Sequence, residues 1–232
     1  MSIIFFIKLF DKKIIKLLYM NIITKKNIDF LINSEFKHYK NVIILGKGPS
    51  FKKTLEQEKT INTFIICIND SINFCDSYDM LVVNDIITWD RLNNEQIKKL
   101  KYVLSPIYPH YNGKPDPDQY NIDWVINKLK QKNFSGKIIF YNFKPGPFNE
   151  NYITLDSKIT GSNSAVDFVC KYLNINFLET RGIGIKNNCY YNKVFEKTEG
   201  VNDYTEDNKY INRINSHIVS NLQKYNIKYN QI

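Results

Sequence analysis

The apolar positions of this chain fall into short dense runs. Residues 42–45 (VIIL), 63–68 (TFIICI) and 80–83 (MLVV) are rich in β-branched or aliphatic side chains and are closed by glycine or polar residues. Runs of this kind mark strands buried on both faces, as in a parallel sheet. Residues 102–104 (YVL), 137–141 (KIIFY) and 175–178 (INFL) repeat the pattern. Residues 93–101, 122–131, 162–173 and 207–225 lie between or after them and read as helices. Strands alternating with helices predict an α/β fold: a Rossmann-like, mostly parallel sheet flanked by helices, with ligands at the C-terminal ends of the strands. Residues 105–118 (SPIYPHYNGKPDPD) have no periodic pattern and read as a long surface connection or the cover of a site.

Ahead of the first run, Ile3, Phe6, Ile7, Phe10, Ile14, Leu17 and Leu18 share one helical face, with Lys12 and Lys16 opposite. Lys8 and the Asp11–Lys13 interruption leave no stretch near the ~20 apolar residues of a spanning helix. No charged segment precedes the apolar run and no small-residue cleavage site follows, so a signal peptide fits poorly. The expected organisation is an N-terminal amphipathic helical extension over residues 1–40, its part from 21 to 40 a polar bridge, and a nucleotide-binding domain over 41–232. A basic amphipathic helix suits peripheral contact with a membrane surface through residues 1–20 of an otherwise cytoplasmic protein. Docking of that helix on the domain's own core is the plainer alternative.

Composition narrows the partners. Lys+Arg 32 against Asp+Glu 23 leaves a formal charge of +9, which favours anionic ligands. The lysines are scattered, and no zinc-finger, RNP or helix-turn-helix pattern is present, so nucleic acid is not the expected partner. Cys67, Cys75, Cys170 and Cys189 form no CxxC pair and no zinc spacing with histidine; they read as small hydrophobes in a reducing compartment.

The chemistry gathers where the first strand ends, at Gly46-Lys47-Gly48-Pro49-Ser50. Glycine lets a backbone turn bring its N–H groups close to an anion, Pro49 suits the first position of a helix, and Ser50 has a hydroxyl for a phosphate. A lone GxG is equally an ordinary strand-to-helix turn. Farther on, Cys67-Ile68-Asn69-Asp70-Ser71 closes the second strand, Ile159-Thr160-Gly161-Ser162 opens a helix, and Leu178 leads to Gly182-Ile183-Gly184.

In that order and approximate spacing, residues 41–230 resemble the bacterial sialyltransferases of surface-glycan synthesis. Asp70-Ser71 and Asp85 are also similar to the motility-accessory-factor and hydroxymethylpterin-pyrophosphokinase-like group. The first resemblance implies a glycosyltransferase that moves a sugar, such as sialic acid, from a nucleotide-sugar donor to a glycan acceptor with no required cofactor. Gly46, Gly48 and Ser50 would hold the phosphate end, Asn69 would read the nucleotide, and Thr160, Gly161 and Ser162 would complete the pocket; Lys47, Pro49, Asp70 and Ser71 lie in the same expected nucleotide site. Tyr190 or Tyr191 would stabilise the departing phosphate. Thr160 and Ser162 also fit plain helix capping.

This chain departs from the sialyltransferase pattern at three places: Lys47 stands for Asn, Gly184 for Asp, and residues 200–209 carry no histidine for the general base. Asp203, Glu206 and Asp207 are the carboxylates there that can take its place. His110 in the proline-rich stretch is a lesser candidate, and His217 reads as a part-exposed helix residue. The second resemblance implies Mg²⁺-dependent diphosphate transfer, with Asp85 on the metal; Asp85 has no second carboxylate at DxD spacing. A noncatalytic nucleotide-binding accessory protein also fits the missing histidine and the basic start.

Overall fold

In the computed structural model, which describes residues 22–48, 59–111, 114–142, 147–156, 160–183 and 208–231, the chain begins with β1 (Ile22–Ile23) and α1 (Ile28–Leu31), the latter running into a π turn (Ile32–Phe36). Then come β2 (Asn41–Leu45), β3 (Thr63–Ile68), a 3-10 helix (Asn69–Phe74), β4 (Met80–Val82), α2 (Ile86–Arg91), α3 (Asn94–Lys99) and β5 (Tyr102–Pro106). A small hairpin of β6 (His110–Tyr111) and β7 (Lys114–Pro115) precedes α4 (Ile122–Gln131), β8 (Lys137–Asn142) and β9 (Ile153–Thr154). The last elements are α5 (Gly161–Tyr172), β10 (Phe177–Arg181), α6 (Asn208–Lys224) and β11 (Lys228–Gln231).

The main sheet, nine strands among the described residues, has the order β1-β8-β5-β4-β3-β2-β10-β11, with β9 also on β8. Its pairings are all parallel. This is the expected Rossmann-like α/β arrangement. Period-two alternation sends successive strand residues into two cores. Val42, Ile44, Phe64, Ile66, Met80 and Val82 meet α1, α5 and α6 residues such as Leu31, Phe168 and Ile218 on one face. Ile43, Leu45, Ile65, Cys67, Leu81 and Val83 meet Trp89, Ile97, Val125 and Leu129 of α2, α3 and α4 on the other.

Local signals set several helix starts. Asn121 caps α4 by accepting from Trp124 N at 3.2 Å, and Asn93 caps α3 by accepting from Glu95 N at 2.8 Å. Among the described residues no helix is long and apolar enough to cross a membrane. Residues 1–21, with the amphipathic face, lie outside the described residues.

Three expectations change. Residues 22–40 are part of the domain rather than a polar bridge: Ile22 and Ile23 pair with Ile138 and Ile139, and Ile28, Leu31, Phe36 and Tyr39 are buried in the first core. Their apolar residues are spaced too irregularly for a periodic signal because a π turn interrupts the helix. The stretch 105–118 contains the end of β5 and the β6–β7 hairpin. The strand expected at 175–178 runs later, over Phe177–Arg181, with Glu179, Thr180 and Arg181 buried. Its charges hide the strand signal and are tolerated because the Arg181 guanidinium donates to Glu179, which also accepts from Asn230 Nδ2 at 3.2 Å.

Candidate functional site

The strand order reverses direction at β2. From β2 the chain moves outward through β3, β4 and β5 to β8, then α5 carries it back to β10 on the other side of β2. The C-terminal ends of β2 and β10 are thus the topological switch point, where open α/β sheets bind ligands.

At this point the glycines do something other than expected. Gly46 N donates to Arg181 O at 2.8 Å, and Gly48 N donates to Gly182 O at 3.0 Å. A Cβ on Gly48 would lie 2.8 Å from Gly182 Cα, and one on Gly46 would lie 2.7 Å from Ile183 Cγ1. Gly182 answers with φ of +65°, a conformation that glycine adopts without strain. The reading of Gly46 and Gly48 as phosphate-cradling amides is therefore corrected: the two glycines let the β2 and β10 turns touch, and their N–H groups are taken by protein carbonyls. The turn offers an anion the ammonium of Lys47, which sits 3.0 Å from Asp70 Oδ1. Pro49 and Ser50 lie outside the described residues.

At the end of β3, Asn69 has φ of 55°, which asparagine tolerates better than most residues. Its buried Oδ1 has no hydrogen-bond partner among the described residues. Asp70 is 5% exposed and faces Lys47. Ser71 is fully buried and structural: its Oγ accepts from Ile68 N at 3.0 Å and donates to Leu45 O at 3.1 Å, tying the ends of β2 and β3 together. This corrects the expectation that its hydroxyl reads a nucleotide.

Next to it, Asp85 Oδ1 accepts from Ile87 N at 3.1 Å and caps α2. Burial holds its carboxyl above the usual range, with Lys47 pulling it down and Asp70 pushing it up. The 3-10 helix that carries Asp70 packs against α2, which Asp85 caps, so the charge of Asp70 is felt at Asp85 from the neighbouring strand. A water-rich Mg²⁺ suits two such carboxylates, although Lys47 competes for Asp70. A group of three or more His, Cys, Asp or Glu ligands does not occur among the described residues.

The first turn of α5 closes the edge. Thr160 caps it, accepting from Asn163 N at 3.2 Å, and Ser162 Oγ lies 2.6 Å from Thr160 Oγ1. A Cβ on Gly161 would lie 3.2 Å from Ile68 Cγ2 and 3.8 Å from Asn84 Cγ, so this turn rests on the ends of β3 and β4. Gly161 and Ser162 precede the first intrahelical bond, from Ser164 N to Thr160 O at 3.1 Å, and theirs are the orphan donors of a helix N-terminus. Under this turn Asn84 Nδ2 donates to Ser164 Oγ at 3.2 Å, and the Tyr141 hydroxyl donates to Asn84 Oδ1 at 2.7 Å. Sequence reading missed this buried network because Tyr141 ends an ordinary apolar run.

No protein-family model and no curated protein sequence matches the chain.

The two histidines separate. His217 lies on α6 with Nε2 3.0 Å from Oδ1 of the fully buried Asp167, about two turns below the start of α5. His110 is at the edge itself: it bridges to Asp85, its N donates to Asn84 O at 3.0 Å, and it is 7% exposed. Burial pushes its imidazole down to about 4 from 6.5. A depressed histidine is neutral when folded, so its contribution is complete above pH 6.5 and is lost as pH falls from there through about 4. Between pH 6.5 and 5 the expected loss is about 1.5 kcal/mol. The raised Asp85 carboxyl works in the opposite sense, so the effect is read as the wild type minus His110→Asn difference in urea stability. A pH-independent difference over that interval contradicts the assignment.

Asp203, Glu206, Asp207, Tyr190 and Tyr191, the expected catalytic groups, lie outside the described residues. The two ends of the 184–207 stretch that holds them are known: it leaves β10 at the switch point and returns at Asn208, the start of α6. Because α6 leads into β11, parallel to β10, both ends lie at the strands' C-terminal edge.

Proposed function

We propose that the β2–β10 switch point binds the phosphate end of a nucleotide, and that the chain is a glycosyltransferase passing a sugar from a nucleotide-sugar donor to a glycan hydroxyl. The observation that carries this reading is the convergence at one edge of Lys47, the partnerless buried oxygen of Asn69 and the N-terminus of α5. A cation and a helix terminus favour an anion, and an unsatisfied buried amide oxygen favours a ligand N–H such as a base provides. The acceptor hydroxyl loses its proton to Asp203, Glu206 or Asp207, and the leaving phosphate is met by Lys47 and Tyr191. Peripheral membrane contact through residues 1–20 is part of the same proposal, and sedimentation with acidic liposomes tests it.

The packing of the Asp70 segment against α2, capped by Asp85, favours a second reading, Mg²⁺-dependent diphosphate transfer. In it the two carboxylates hold the metal against the phosphates, and Lys47 offsets phosphate charge. A noncatalytic accessory protein would bind nucleotide without turnover.

A thermal-shift panel of nucleoside phosphates and sugar nucleotides, with Mg²⁺ and with chelator, separates these readings. The expected result is a saturable shift by at least one sugar nucleotide that survives chelator and weakens about tenfold, or 1.4 kcal/mol, in Lys47→Ala. A shift that needs Mg²⁺ selects the second reading. No shift from any nucleotide overturns both.

A further inference from the structure

The ammonium that the switch point offers an anion is already held by a carboxylate of the same edge. Lys47 Nζ lies 3.0 Å from Asp70 Oδ1, so the pair spans the turns that follow β2 and β3, with the two side chains only 14% and 7% exposed. This contact differs from those of other buried acids. Asp79 accepts from Ile65 N, Asp85 caps α2 and Glu179 accepts from Asn230 Nδ2, so hydrogen bonds build each of them into the fold. Asp70 Oδ1 has no hydrogen-bond partner among the described residues, and what holds it is the charge of Lys47. A charge contact of that kind exchanges for another anion without breaking an aligned bond.

We propose that the Lys47–Asp70 ion pair is an autoinhibitory latch, in which Asp70 occupies the ammonium that a ligand's phosphate has to take.

The latch rests on the reading of Lys47 as the anion-binding cation of this edge. The backbone on both sides of it is fixed: Gly46 N and Gly48 N are bonded to Arg181 O and Gly182 O, and Ser71 Oγ joins Ile68 N to Leu45 O. Opening therefore needs rotation of the long lysine side chain and no movement of either turn. What opposes it is the buried Asp70 carboxylate, which loses its cation as the phosphate gains it. A ligand that binds only the open form shows an affinity reduced by the fraction of open molecules.

Asp70 directly follows Asn69, whose buried Oδ1 is without a hydrogen-bond partner among the described residues. The latch thus sits between the cation for a phosphate and the amide oxygen for a base. A nucleotide opens it through its phosphate charge. An uncharged nucleoside offers a donor to Asn69 and nothing to Lys47, and leaves it shut.

The test measures binding of inorganic pyrophosphate by titration calorimetry, at low salt and in chelator, to the folded full chain and to Asp70→Asn, Lys47→Ala and the double variant. Asp70→Asn is expected to bind about tenfold more tightly than the wild type. In the Lys47→Ala background the same substitution is expected to gain less than about threefold, because the ammonium it would release is absent. A gain of equal size in both backgrounds overturns the latch and leaves plain repulsion by Asp70. Equal or weaker binding by Asp70→Asn also overturns it, while the anion site itself stands. Absence of binding in every variant removes the site and the latch together. Should Asp70→Asn fail to fold, the wild type still decides: the carboxyl carbon resonance of Asp70 is expected to shift on saturation with pyrophosphate, and an unmoved resonance overturns the proposal.

Discussion

Asp79→Ala is expected to remove about 2 to 3 kcal/mol of stability, the upper part of the range for a buried donor left without its acceptor. The reason lies in strand lengths. β3 starts at Thr63, but its pairing with β4 begins only at Ile66 with Met80, so Ile65 N has no strand carbonyl to meet. The Asp79 carboxylate replaces that missing partner, accepting from Ile65 N at 3.1 Å while Lys101 at 2.8 Å and Lys59 at 3.3 Å approach its other oxygen. Both Asp79 and Ile65 are fully buried. In the alanine variant the lysines, 54% and 30% exposed, return to water at little cost, and the damage is the buried amide left without an acceptor. Asp79→Asn keeps an acceptor and is expected to lose well under half as much. Urea denaturation of both variants checks the order, and an alanine cost below about 1 kcal/mol contradicts this account.

Gly46→Ala is expected to cost roughly 3 to 4 kcal/mol, above the usual range for an added methyl. The new Cβ meets the Gly182 carbonyl and lies 2.7 Å from Ile183 Cγ1. A side chain such as Ile183 can yield, but Gly182 O cannot move without releasing the bond from Gly48 N, and the bond from Gly46 N to Arg181 O lies beside it. Loss of ligand binding in this variant reports the collapsed turn and says nothing of an amide cradle. Lys47→Ala is the variant that reads the anion site, because it leaves both backbone bonds in place. Unfolding of both variants is the check: Lys47→Ala leaves the Asp70 carboxylate, 7% exposed at its side chain, without its cation and is expected to cost about 3 kcal/mol while keeping both backbone bonds. Equal stability of Gly46→Ala and wild type would show that the β2 and β10 turns are not held in contact.

The pattern along the chain by itself determined the sheet and much of its flanking helix. Residues 63–68 and 122–131 read from sequence coincide with β3 and α4, because burial on two faces and an amphipathic stripe with an asparagine cap are written in neighbouring residues. It also marked the edge proposed as the site, since strand ends followed by glycine, Asn-Asp and a Thr-capped helix are local features. Tertiary structure alone decided what those residues do. Which carbonyl takes the Gly46 and Gly48 amides, which carboxylate's charge reaches Asp85 and which strand Ser71 fastens are matters of partners brought from other strands. β10 and β1 were displaced or unseen for the same reason: a buried Glu179–Arg181 pair and a two-residue strand depend on neighbours that no local period encodes. Hydrophobic burial leaves a repeating trace along a chain, whereas hydrogen-bond and ion-pair partners are chosen across it.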